Sequence, residues 1–299
     1  MKKIIIPCPY FETGGPEALH QLCDAINNLG GNAYIYYNER NNQVHPAYQN
    51  YNIKLIDNIE DKEDHVMVIP EGNSQILKEF KNAELYFWWL SVDYNNFNQY
   101  GNEFSDIKIN HLAQSYYALN HLIQNKALKY LPLFDYINEI FIKESNQEVP
   151  KQDIICFNPR KNVNLQLINE IALNIPNAKF IPLTNMSKNE LINTLKSSKI
   201  YLDFGIHPGK DRPPREAALM NNIIISSCNG SAAFYSDIPI DPSKYKLDTY
   251  DSQKIINEIR NNLMNYESNI KDFNLYKNVI KNQKQEFINQ ANQIFAKYF

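Results

Sequence analysis

Cysteine is scarce in this chain. Cys8, Cys23, Cys156 and Cys228 are the four in 299 residues, and no two of them form a C-x-x-C pair. That spacing argues against a zinc or redox motif and suits small buried side chains in a reducing compartment. Histidine is sparse too, with six in all and none in an HExxH-type pattern, so no metal centre is expected. Long apolar runs are missing. Met1-Lys2-Lys3 followed by Ile4-Ile5-Ile6 begins like a secretion signal, but Pro7 and Glu12 follow too soon for an apolar signal core. No stretch reaches the roughly 18 apolar residues of a membrane span, and a soluble, cytoplasmic protein is expected. An excess of one charge is lacking as well. Thirty Lys and Arg stand against 33 Asp and Glu, a formal net charge of -3, so no global field draws the chain to nucleic acid. Any anion site must be local.

What is present is globular in character: 43% hydrophobic residues, with 20 Tyr and 15 Phe. The length suits two domains of about 150 residues, each able to bury its own core. Strand, glycine turn, helix and strand follow one another in the first 37 residues, with Gly14-Gly15-Pro16 at the helix start, a βαβ pattern. Further strands are expected at 65–70, 85–92, 111–115 and 130–134, with helices at 74–81 and 117–123. The polar stretch Lys143–Gln152 reads as a linker, after which the alternation restarts. Strands are expected at 153–157, 179–182, 200–204 and 223–227, and helices at 165–172, 188–196 and from about Pro214. Ser187 and Glu190 have capping-box spacing. Tyr276, Ile280, Phe287, Ala291, Ile294 and Tyr298 share one face of a final helix. The pattern predicts an α/β fold with two doubly wound, Rossmann-like domains, residues 1–147 and 151–272, plus a helix at 273–299. The ligand is expected in a cleft at the strand C-terminal ends.

The chemistry concentrates between Tyr201 and Ala233. His207, Gly209, Lys210, Arg212, Arg215 and Glu216 crowd a strand-to-helix loop. A helix start with nearby cations is a phosphate-binding arrangement: outward N–H groups, dipole and guanidinium forks act together. A second turn, Cys228-Asn229-Gly230-Ser231, follows the next strand, and a third, Asn158 to Asn162 with Arg160 and Lys161, follows the first strand of that half. Glu216, read as lying in the first helical turn, has the chemistry to accept hydrogen bonds from a ribose diol.

This layout resembles the GT-B glycosyltransferases, especially the large retaining group that uses nucleotide-sugar donors. Gly14-Gly15-Pro16-Glu17 resembles that group's N-terminal loop, Phe157 to Lys161 its diphosphate-binding segment, and Glu216-Ala217-Ala218 its ribose-binding helix. Pro208 stands where the group usually carries an acidic residue. The resemblance implies two Rossmann-like domains facing a cleft, an acceptor side in 1–147, a donor side in 151–272, and 273–299 bracing the two. It also implies transfer of a hexosyl group to a glycan or lipid-linked acceptor in surface-polysaccharide synthesis, with no cofactor, no metal and retained stereochemistry.

On that reading Arg160, Lys210, Arg215 and His207 serve the transfer itself. Gly14, Gly15, Lys161, Gly209, Arg212, Glu216, Asn229 and Gly230 bind the donor. Glu12 or His111 could take the acceptor proton if the configuration inverts; Glu12 also reads as a surface charge and His111 as a core residue. Trp88-Trp89 reads as core packing on the two faces of a strand. The lysines around the last helix leave a peripheral membrane contact open beside the bracing role. A sugar-nucleotide epimerase of the same fold and a non-catalytic nucleotide-binding module are the rival readings.

Overall fold

Ile4, Ile5 and Ile6 are all fully buried, which is what a strand covered on both faces requires. They form the centre of β1 (Lys3–Cys8) in a computed structural model that describes residues 1–39, 41–147, 149–161 and 164–299. With β2 (Ala33–Tyr37), β3 (His65–Pro70), β4 (Glu84–Trp89), β5 (Ile109–Ala113) and β6 (Tyr130–Pro132) it makes one parallel sheet, ordered β2-β1-β3-β4-β5-β6. Helix α1 (Gly14–Asn28) links β1 to β2 and α2 (Tyr116–Gln124) links β5 to β6. Side chains alternate between the faces. Ile4, Val66, Tyr86 and Trp88 enter one core, and Ile5, Met67, Phe87 and Trp89 the other. The tryptophan pair therefore packs on opposite faces of β4, as the sequence pattern implies.

The ends of β3 and β4 differ from expectation. The helix expected at 74–81 is a run of 3₁₀ turns over Glu71–Glu79, kinked at Asn73, and it starts directly after β3. Strand β4 ends at Trp89 rather than Val92, because the Leu90 N–H turns to the Glu71 carboxylate at 3.1 Å and the Val92 N–H to the Pro208 carbonyl at 2.6 Å.

The second array contains β7 (Gln152–Phe157), β8 (Lys179–Pro182), β9 (Ser198–Asp203) and β10 (Ile223–Ser226), all parallel, in the order β10-β9-β7-β8. Around it lie α3 (Glu139–Glu144), α4 (Leu165–Asn174), α5 (Lys188–Ser197), α6 (Arg212–Leu219), α7 (Pro242–Tyr245), α8 (Ser252–Met264), α9 (Tyr266–Asn269) and α10 (Asn274–Phe295). Ser187 and Glu190 close a reciprocal capping box at the start of α5. Helix α8, absent from the sequence reading, buries Ile255, Ile256 and Ile259.

The chain divides into two compact units. The first holds residues 1–136, 208–210 and 283–299, the second 137–207 and 211–282. The division falls at Tyr136/Ile137 instead of within Lys143–Gln152, since Ile137 and Phe141 already belong to the second core. Nor is Lys151 a linker residue. Its ammonium donates to the carbonyls of Leu195, Ser198 and Met220 at 3.2, 2.7 and 2.5 Å, capping the C-terminal ends of α5 and α6. Helix α10 is not a separate body: Tyr276 and Ile280 join the second core, Phe287, Ala291 and Ile294 the first. Among the described residues no helix is long and apolar enough to cross a membrane.

Candidate functional site

In the second unit the loops after β7, β9 and β10 come together. The Ile206 N–H donates to the Lys161 carbonyl at 2.9 Å, joining the first two, and the Ser231 N–H donates to the His207 carbonyl at 2.9 Å, joining the third. Gly230 has φ +53°, and a Cβ there would lie 2.0 Å from the His207 carbonyl oxygen, so only glycine fits this crossing. Three strand-end turns far apart in sequence thus form one cluster. Asn162 lies outside the described residues.

The cluster is organised by buried charge. Asp203 closes β9, His207 follows four residues later, and Asp211 caps α6 four residues after that. The His207 Nδ1 lies 3.7 Å from Asp203 Oδ2 and 3.3 Å from Asp211 Oδ2, while Nε2 lies 3.2 Å from the Asp203 carbonyl. Burial alone would push the imidazole pKa down, but the two carboxylates outweigh it and raise it to about 9. At neutral pH this ring is therefore an imidazolium with both N–H groups facing oxygen. Burial pushes the Asp203 carboxyl up, with Asp211 adding to that and His207 opposing. For Asp211 the balance reverses: burial raises it, yet His207 and Lys161 hold it below its ordinary value. The Lys161 ammonium reaches Asp211 Oδ1 at 2.7 Å, and the Arg215 Nε donates to the Asp211 carbonyl at 3.0 Å.

The candidate residues divide by exposure. Arg160 is exposed and donates to Asn185 Oδ1 at 2.9 Å; Lys161 and Glu216 are partly exposed, and Asn229 is exposed. His207 and Arg215 are fully enclosed, and Arg212 is 9% exposed. So the guanidinium of Arg215 is not on a rim; it lies inside and holds the loop. Helix α6 begins at Arg212, earlier than the expected Pro214, which puts Glu216 in its second turn rather than its first. Its carboxylate consequently has no special standing with the helix dipole.

Lys210 and Gly209 belong to the first unit. The Lys210 N–H donates to Gln114 Oε1 at 2.9 Å, and its ammonium lies 4.7 Å from the centre of the Phe134 ring. A Cβ on Gly209 would fall 2.0 Å from the Leu90 carbonyl oxygen, so this glycine permits close backbone packing. Gly14 and Gly15 open α1 in the same unit, with Glu12 exposed just before them. His111 is a core residue: Trp89 Nε1 donates to its Nδ1 at 3.1 Å, and burial pushes its pKa down to about 4. It offers no base to solvent.

Asp203 and Asp211 carried no role in the sequence reading, although their 4-and-4 spacing about His207 was there to be read. Glu71 was missed entirely. It is the residue after β3, and its carboxylate accepts the Leu90 N–H.

No protein-family model matches the chain, and no characterised protein matches it by sequence. Solved structures do match. A sucrose-phosphate synthase from Thermosynechococcus elongatus shares 11% identity at a TM-score of 0.66, covering 99% of either chain. A glycosyltransferase from Rickettsia africae shares 13% at 0.63, covering 99% of this chain and 97% of its own. Anabaena HepE, solved with UDP-glucose, shares 11% at 0.62, covering 99% of each. The fold is GT-B. At these identities the likeness establishes the GT-B architecture, with its two parallel-sheet units and C-terminal helix, and nothing finer.

Proposed function

We propose that this chain is a glycosyltransferase that moves a sugar from a nucleoside-diphosphate donor to a hydroxyl of a glycan or lipid-linked acceptor. The observation that carries the reading is the convergence of three strand-end loops in the second unit around Lys161, His207, Asp211 and Arg215. Ligands of open α/β sheets bind at such strand ends. Arg160 and Lys161, the cations there that reach solvent, are assigned to the diphosphate, with Arg212 adding positive potential. Glu216 is assigned to the ribose, and His207 and Arg215 to holding the loop. Breaking the sugar–phosphate bond leaves negative charge on the diphosphate, and preorganised cations stabilise it without a metal. The Gly14-Gly15 turn is assigned to the acceptor. A lipid-linked acceptor would bring the chain to a membrane surface without crossing it.

HepE holds UDP-glucose, which makes uridine nucleotides the first donors to test here. Calorimetry with UDP, UDP-glucose, UDP-N-acetylglucosamine and GDP-mannose should find at least one that binds. A ligand at 100 times its Kd should add about 2.7 kcal/mol of stability. Lys161→Ala should weaken that binding about tenfold, roughly 1.4 kcal/mol. If none of the four binds, or Lys161→Ala binds as wild type, the assignment is wrong.

A further inference from the structure

We infer that Glu71 is the general base that takes the proton from the acceptor hydroxyl, so that transfer inverts the anomeric configuration. The inference rests on the glycosyl-transfer reading and adds to it a residue and a stereochemical course.

Position comes first. In the sheet β1 lies between β2 and β3, and the chain leaves β1 toward β2, so the switch in strand direction lies at the ends of β1 and β3. That is where α/β sheets open a crevice. Glu71 is the first residue past β3, at the C-terminal edge of the sheet, and the Gly14-Gly15 turn follows β1 at the same edge. Its side chain is partly exposed, and a Cβ added to the neighbouring Gly72 would meet nothing within 4 Å, so there is room beside it.

Orientation is the second argument. The Leu90 N–H fixes Oε2 at 3.1 Å. Leu90 is itself fixed, its carbonyl packed against Gly209. The carboxylate is thus held on backbone, as a base must be to meet a hydroxyl in a defined direction. Proton affinity is the third argument. Burial pushes the carboxyl up to about 7, against the pull of the Glu71, Leu90 and Ser91 N–H groups. A base at neutral pH needs a pKa raised into this range. His111, by contrast, is enclosed.

The step balances without another reagent. The acceptor O–H bond breaks and its proton passes to Glu71. The acceptor oxygen bonds to the anomeric carbon as the carbon–oxygen bond to the diphosphate breaks, and that electron pair leaves on the diphosphate. One direct displacement inverts the carbon, in contrast to the retention implied by the sequence resemblance.

The test uses the whole chain and UDP-glucose, with water and octyl glucoside as acceptors, read by proton NMR before mutarotation. We expect β-configured glucose or glucoside from the α-linked donor. Wild-type kcat should rise with pH through about 7. Glu71→Gln should lower kcat at least 100-fold and lose that limb, while its UDP affinity by calorimetry stays within twofold. Glu71→Asp, which keeps a carboxylate, should retain part of the rate and the limb, and serves if Glu71→Gln misfolds. An α-configured product, or Glu71→Gln within threefold of wild type, overturns the base assignment and leaves the transferase reading standing. UDP binding with no sugar released to either acceptor also removes the base role. A wild type that binds no nucleotide takes down the transferase reading itself.

Discussion

Removing the imidazolium at the centre of the second unit gives the most direct test of the charge cluster. In His207→Gln the side chain keeps hydrogen-bonding capacity but cannot ionise. In the folded chain the His207 pKa is raised from 6.5 to about 9 by Asp203 and Asp211, which outweigh burial. Folding therefore strengthens proton binding, and the proton in turn stabilises the fold. The contribution is complete below pH 6.5 and is lost as pH rises through about 9. Its size follows from the gap between the two values, roughly 3 kcal/mol. Besides the two carboxylates, Lys161 and Arg215 face this cluster. Urea unfolding followed by circular dichroism at pH 6, 8 and 10 should show wild type ahead of His207→Gln by about 3 kcal/mol at pH 6, with the gap closing by pH 10. Trp88 and Trp89 are both in the first unit, so their fluorescence reports that unit separately. A gap that does not change with pH would mean that His207 is held neutral and that the charge argument fails.

Gly230→Ala should destabilise by about 3 kcal/mol, since the new methyl meets the His207 carbonyl in a left-handed backbone; a thermal melt within 1 °C of wild type refutes the packing. Lys151→Met strips the ammonium from three helix-end carbonyls and should cost about 3 kcal/mol in urea unfolding, whereas less than 1 kcal/mol would show those carbonyls satisfied by water. EDTA treatment should leave sugar release from UDP-glucose unchanged if protein cations alone neutralise the leaving diphosphate; a loss restored by added Mn²⁺ would overturn that assignment.

Much of the architecture was legible because both sheets are parallel and buried on both faces, which gives short apolar runs such as 3–7 and 223–227 with clear ends. The register of Trp88 and Trp89 followed from period two alone, and the α10 face from period 3.6. What was misread depended on tertiary partners. The Lys143–Gln152 stretch looked like a linker because it is polar, yet Lys151 is polar in order to cap two helices it does not neighbour in sequence. Helix α8 went unseen although Asp251 caps it and Ile255, Ile256 and Ile259 mark its inner face.

The site shows the same division more sharply. Counting cations at strand ends picked out loops that do meet in the fold, because the glycine and charge content of 158–161, 205–216 and 228–231 marks them as strand-end turns. It did not tell an exposed guanidinium from an enclosed one. Arg160 and Arg215 look alike in sequence, but one meets solvent and the other is walled in beside the Asp211 carbonyl. The distinction is set by what buried carboxylates need. Asp203 and Asp211 cannot stay ionised below the surface without countercharge, and His207, Lys161 and Arg215 lie around them. Part of the positive charge in this loop is therefore already committed to the fold. An anion arriving there meets the exposed Arg160 and shares the partly exposed Lys161 with Asp211, which is why these two, rather than the fully enclosed Arg215, should govern nucleotide affinity.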